Sequence, residues 1–105
     1  MAKANITQKT RDALKERGYI SEKVERYNAF TKRFNDLFTV WDVLGVGNRE
    51  TIAVQVTSRA NISTRIIKIE ESEHIDAVRE AGWRLEVHGW DKYKNRWRCK
   101  VVDIS

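Results

Sequence analysis

Apolar and polar residues alternate on both sides of a turn near the middle of the chain. Thr39-Val-Trp-Asp-Val-Leu44 and Ile52-Ala-Val-Gln-Val-Thr57 flank Gly45-Val-Gly-Asn-Arg49. That pattern predicts a β-hairpin over about 36–46 and 51–58. Alternation puts Trp41, Val43, Ile52, Val54 and Val56 on one face. The other face carries Val40, Asp42, Leu44, Ala53, Gln55 and Thr57. With the turn centred between Asn48 and Arg49, Asp42 faces Gln55 directly, Cβ to Cβ roughly 4.5–5.5 Å.

The remaining pattern supplies the other elements. Residues 6–17 read as a helix with a thin apolar stripe of Ile6, Ala13 and Leu14, capped by Thr7 or Thr10 and ended by Gly18. Residues 19–27 fit a strand after the Gly18 break, and 28–35 form a basic, aromatic connector. From Asn61 to Ala81 the period is helical, in two pieces capped by Ser63 and Ser72, with Ile66, Ile67, Ile69, Ile75 and Val78 inward. Gly82 ends it. A second hairpin is expected over 83–90 and 96–104, turning through Asp91-Lys-Tyr-Lys-Asn95. The order α-β-β-β-α-β-β predicts an α+β (α/β) domain, a mixed central sheet flanked by helices. At 105 residues the expectation is a single domain over 1–105.

Charge narrows the partner. Lys plus Arg number 20 against 15 acids, a formal net charge of +5, which favours an anionic partner, nucleic acid first. The single Cys99 excludes an intrachain disulfide and a multi-cysteine zinc site, and its strand context suggests a packed thiol. His74 and His88 have no zinc-ligand spacing. Gly45-Val-Gly47 is too short for a phosphate loop. No apolar stretch is long enough to span a membrane, and Met1-Ala-Lys-Ala-Asn-Ile6 lacks a signal peptide's apolar region, so a cytoplasmic protein is expected. Trp83, Trp90 and Trp97 suit a hairpin core, although the Trp90–Trp97 turn, rich in Lys and Arg, could also grip a nucleic-acid backbone or stack on an unpaired base.

Asp42 lies on an otherwise apolar face, where a carboxylate needs a cation, a basic side chain or solvent. With the Gln55 amide oxygen it makes a candidate divalent-metal site. The same pair also fits a carboxylate held by an Arg or by backbone N–H groups, with Gln55 a satisfied cross-strand amide.

These residues resemble the active-site core of the PD-(D/E)XK nuclease superfamily. Its pattern places an Asp at one strand's end, then Glu-X-Lys or Asp-X-Lys on the next strand about a dozen residues on. Here Asp42 matches the Asp, Gln55 the acid and Thr57 the Lys, with the small polar Ser58 closing the strand. More specifically the chain resembles a short, phage-associated, Holliday-junction-resolvase-like subgroup. The likeness runs through Val24-Glu-Arg-Tyr-Asn28, Asp36-Leu-Phe38, Ala53-Val-Gln-Val-Thr-Ser58, Arg65-Ile-Ile-Lys68 and Glu86-Val-His-Gly-Trp90. It implies a restriction-endonuclease-like fold, a Mg²⁺-dependent endonuclease (Mn²⁺ also suits it), branched or duplex DNA as partner, a homodimer, and a bacterial or phage-infected host cell.

The departures direct attention elsewhere. Gln55 brings no charge, so another acid must complete the site. Glu25 is the first candidate, unless it pairs with Lys23 or Arg26. Asp36 is the second. Along an extended strand it would lie roughly 20 Å from Asp42, and it joins only if the chain bends near Thr39. Thr57 cannot supply a lysine charge. Lys68 is a migrated substitute or part of a solvated helix face, and Arg65 projects beside it one turn earlier. Lys32, Arg33, Thr57, Ser58, Arg59, Arg65 and Lys68 are the candidate DNA contacts. The alternative is a catalytically degenerate DNA-binding module on the same fold. A third reading is a protein-interaction domain whose basic charge is incidental.

Overall fold

The computed structural model describes residues 3–105. Met1 and Ala2, part of the opening segment read as lacking a signal peptide, lie outside the described residues. The elements are α1 (Lys3–Glu16), β1 (Ile20–Lys23), β2 (Arg26–Asn28), β3 (Arg33–Asn35), β4 (Val43–Gly47), β5 (Glu50–Ser58), a 3₁₀ turn (Arg59–Asn61), α2 (Ile62–Glu70), α3 (Ile75–Glu80), β6 (Arg84–Tyr93) and β7 (Arg96–Asp103).

Five strands form one mixed sheet in the order β1-β4-β5-β6-β7, and β2 pairs only with β3. The β5–β6 pair is parallel and the other pairs are antiparallel. A parallel pair needs a crossover, which the 3₁₀ turn, α2 and α3 provide. Gly89 permits its close packing: a Cβ there would lie 2.3 Å from Ile62 Cδ1 and 3.0 Å from Arg59 Cα. No helix among the described residues is long and apolar enough to cross a membrane.

The sheet is covered on both faces, so this is the expected α+β fold with a mixed central sheet. Val43, Ile52, Val54 and Val56 pack with Ile6, Leu14 and Tyr19 from the α1 side. Ala53, Leu85 and Val87 pack with Ile62 and Ile69 of α2 and Ile75 and Val78 of α3. The β4–β5 register is the one the alternation predicts, with Leu44 opposite Ala53 and Val43 opposite Val54.

Several boundaries differ from expectation. The strand expected over 19–27 breaks after Lys23, and the connector expected over 28–35 supplies the return strand of a small hairpin. Residues 36–42 turn instead of extending, and that rotates Trp41 into the α2/α3 core with Val40. Thr10 is fully buried within α1 and is no cap. Ser63 lies inside α2, whose N-cap is Asn61, while Ser72 Oγ accepts from the His74 amide before α3 begins. Ile67 faces solvent. The second hairpin runs on to Tyr93, because Lys94 and Asn95 both adopt positive φ and close a two-residue turn.

A buried polar network fastens α1 to β6. Arg17 donates to both Glu86 oxygens at 2.8 Å, and Arg84 Nε donates to Oε2 at 2.7 Å. His88 Nε2 lies 2.9 Å from Glu86 Oε1, and its Nδ1 lies 3.2 Å from Thr10 Oγ1. Trp90 Nε1 donates to that same hydroxyl at 2.8 Å. The hydroxyl is thus left to donate to His88 Nδ1, and Nε2–H donates to Glu86. His88, expected to be structural, is a member of this core.

Burial alone would push the Glu86 carboxyl up, but hydrogen bonds from Arg17, His88 and Arg84 outweigh it and hold it well below the usual carboxylate range. A depressed carboxylate stabilises the fold at pH above its unfolded value, about 4.3, and that stability is lost as pH falls below it. Glu86→Gln is therefore expected to cost about 1–3 kcal/mol at pH 7. In urea titrations from pH 7 to 2, the gap between wild type and variant should shrink with acid. A constant gap would remove Glu86 from the acid response.

Candidate metal centre

The site is built outward from Asp42. β4 begins at Val43, but β5 continues to Ser58, so the Val56 N–H on that edge has no strand to meet. Asp42 Oδ2 takes its place, accepting from Val56 N at 2.8 Å and from Gln55 Nε2 at 2.7 Å. The Asp42 amide donates to Val54 O and its carbonyl accepts from Val24 N, both at 2.9 Å. Asp42 and Gln55 are fully buried. They meet across the hairpin as the register requires.

A tight turn brings in the second acid. Leu37 and Trp41 exchange backbone hydrogen bonds at 2.9 Å in each direction. Between them Phe38 has φ 50° and Thr39 φ 68°. Left-handed backbone at two non-glycine residues costs on the order of 1–3 kcal/mol each. Packing offsets part of that cost: the Phe38 ring centroid lies 5.5 Å from His74 and 6.0 Å from Trp83. The chain therefore does bend at Thr39, and Asp36 returns to Asp42.

The third acid comes from the small hairpin. Arg26 pairs with Asn35 as the outermost rung, and Glu25 and Asp36 lie just beyond the ends of these strands. Glu25, Asp36 and Asp42 each offer an oxygen, and these lie within 4.8 Å of one another. Glu25 and Asp36 are half-buried. Three hard carboxylate ligands suit Mg²⁺ or Mn²⁺. A second observation supports a ligand there. Gln55 Oε1 is buried with no hydrogen-bond partner, an omission that costs roughly 1–3 kcal/mol.

The other expected site residues are dispersed. Thr57 is buried on β5, two residues beyond Gln55. Ser58 is exposed and Arg59 half-buried in the turn after it. Lys68 is exposed on α2 and Arg65 half-buried. Among the described residues, no ion pair joins Lys68 to an acid of the cluster. Lys32 and Arg33 are exposed on the β2–β3 hairpin. Sequence reasoning passed over Lys23 and Arg26 as site residues, yet both line a cleft of about 350 Å³ with Asp36. Their position beside Glu25 was the available signal.

No family model matches this sequence, and no curated protein matches it. In three dimensions the chain is similar to a Holliday junction resolvase from Archaeoglobus fulgidus, an archaeal hyperthermophile. The TM-score is 0.53 at 14% identity, covering 91% of this chain and 69% of that one. The likeness is one of fold, the restriction-endonuclease-like arrangement of a mixed five-stranded sheet with helices.

Gln55→Glu tests whether the amide belongs with the acids. Without metal, a carboxylate in place of Nε2 loses the bond to Asp42 and adds repulsion, so the variant should unfold more easily by about 1–3 kcal/mol. With Mn²⁺ it should bind more tightly than wild type, by about tenfold (~1.4 kcal/mol) in calorimetry. Unchanged Mn²⁺ affinity would take Gln55 out of the ligand set.

Proposed function

We propose that the chain is a metal-dependent DNA endonuclease acting on branched or junction DNA. The convergence of Glu25, Asp36 and Asp42 within 4.8 Å carries this reading. The unpartnered Gln55 oxygen and the fold shared with a junction resolvase support it.

Glu25, Asp36 and Asp42 would hold Mg²⁺ or Mn²⁺. Rotation of the Gln55 amide would exchange Nε2 for Oε1 and offer the neutral oxygen as a fourth ligand. When bound, the cation neutralises charge building on the scissile phosphate and lowers the pKa of a bound water. The protein's own groups do the rest. The Asp42 carboxylate is fixed by Val56 N–H, so it is aimed before substrate arrives. The lysine charge that Thr57 cannot supply would come from Lys68 on α2 or from Lys23 in the cleft beside Asp36. Lys32, Arg33, Arg59 and Arg65, with Ser58, would hold phosphates and set the register of the DNA. Thr57 is buried and would act by supporting the strand. A homodimer in the cytoplasm of a bacterial or phage-infected cell would pair two such sites for two strands.

One observation favours a second reading, a non-catalytic DNA-binding module. Gln55 Nε2 satisfies Asp42 without any metal, so the pair is self-consistent as a structural contact.

Cleavage of four-way junction, duplex and single-stranded DNA, each with and without Mg²⁺ or Mn²⁺, separates the two. Wild type should cut the junction only with metal. Asp42→Asn keeps an oxygen for the Val56 amide but loses the charge, and should cut at least ~10³-fold more slowly. Equal cleavage by wild type and Asp42→Asn would overturn the assignment. Parallel Lys23→Ala and Lys68→Ala variants identify the lysine, since only the functional one lowers the rate.

A further inference from the structure

The hairpin that delivers Glu25 and Asp36 carries a feature the metal centre does not use. Phe30, in the loop between β2 and β3, is 99% exposed. Asn28 Oδ1 accepts the backbone N–H groups of Phe30 at 2.9 Å and Thr31 at 3.3 Å, and this fixes the loop. Arg26, Tyr27, Lys32 and Arg33 around it are exposed. No acid occurs between Glu25 and Asp36. Phe30 is five residues from Glu25 and six from Asp36. At about 3.3 Å per residue the tip stands roughly 10–17 Å from the acids.

An exposed ring among cations suits a partner with a flat π-face beside anions. A nucleotide base next to its phosphate offers both. A base inside an intact duplex is stacked on both sides, whereas one at a branch point has a free face. A second copy of the tip would set Arg26, Lys32 and Arg33 against like charges. An apolar protein groove would leave those cations without counter-ions.

We propose that Phe30 is a stacking wedge that takes an unpaired base at a DNA branch point, with Arg26, Lys32 and Arg33 on the flanking phosphates. The inference rests on the reading of the acid site as a DNA-cutting centre, and it names what would make that centre prefer branched substrates.

Binding without cleavage tests it, with Ca²⁺ replacing Mg²⁺. The probes are a four-way junction carrying 2-aminopurine at the branch and a duplex of the same sequence. Wild type should change the 2-aminopurine fluorescence and prefer the junction. Phe30→Ala should lose about tenfold or more of that preference and leave duplex affinity nearly unchanged. Phe30→Trp should retain it. Lys32→Ala and Arg33→Ala should weaken both substrates alike and reduce the salt dependence. Circular dichroism checks the fold of each variant. A Phe30→Ala protein with intact junction preference would overturn the wedge. So would a change in its sedimentation, which would make the tip a protein contact. Junction binding that depends on Phe30, in a wild type that never cuts with Mg²⁺, would sustain the wedge and refute the nuclease reading. Cutting by both wild type and Phe30→Ala with equal junction preference would do the reverse.

Discussion

One hydrogen bond organises this end of the molecule: the Val56 amide donating to Asp42. β5 outruns β4, so a central strand reaches into the interior with an unsatisfied backbone donor. A buried N–H of that kind must be paired. Another strand could have filled the gap. Here a side chain does, and a carboxylate thereby acquires a reason to be buried that is independent of any ligand. The same residue pins Val24 through its carbonyl, which sets where β1 ends. Glu25 follows directly. The placement of the first and third acids is one constraint seen twice.

The two faces of the sheet divide the labour. On the α1 face, four N–H donors from Arg17, Arg84 and His88 surround Glu86, and both carboxylate oxygens are partnered. On the α2/α3 face, Asp42 meets the Gln55 amide through Nε2, and the buried Gln55 Oε1 has no partner. Low dielectric amplifies both arrangements. A closed network makes one face rigid, and the incomplete network on the other is where binding free energy remains to be gained. Cys99 belongs to the passive part, since burial pushes its thiol up to about 11 and away from nucleophilic chemistry.

The sequence discloses these features unevenly. The β4–β5 register follows from strict alternation about a turn at Asn48-Arg49, and Asp42 opposite Gln55 follows from that register. Glu25 and Asp36 could be named as acids but not placed, because strands of three residues carry no period. The turn at Phe38-Thr39 has no glycine or asparagine to announce its left-handed backbone. It exists because the Phe38 ring finds His74 and Trp83, a tertiary effect outside local propensity. Strand alternation puts Trp41 on the wrong face for the same reason. Glu86 and His88 alternate with Leu85 and Val87, which reads as a half-exposed strand. Only the parallel pairing beside β5, with α1 laid over it, makes all four buried. Lys68 is singled out by the resemblance alone, and the fold sets it exposed on α2.

The ties between α1 and β6 join residues separated by 69 to 80 positions. Thr10 and Arg17 leave the ribosome well before Glu86, His88 and Trp90. Until then the first helix has no polar seat, and the strand that orients Asp42 lacks its parallel neighbour. Long-range closure of this kind slows folding. It also means the three acids, all made before β5 and β6, stay scattered along a nascent chain. The acid cluster is therefore withheld from partly synthesised protein and assembles only with the finished sheet.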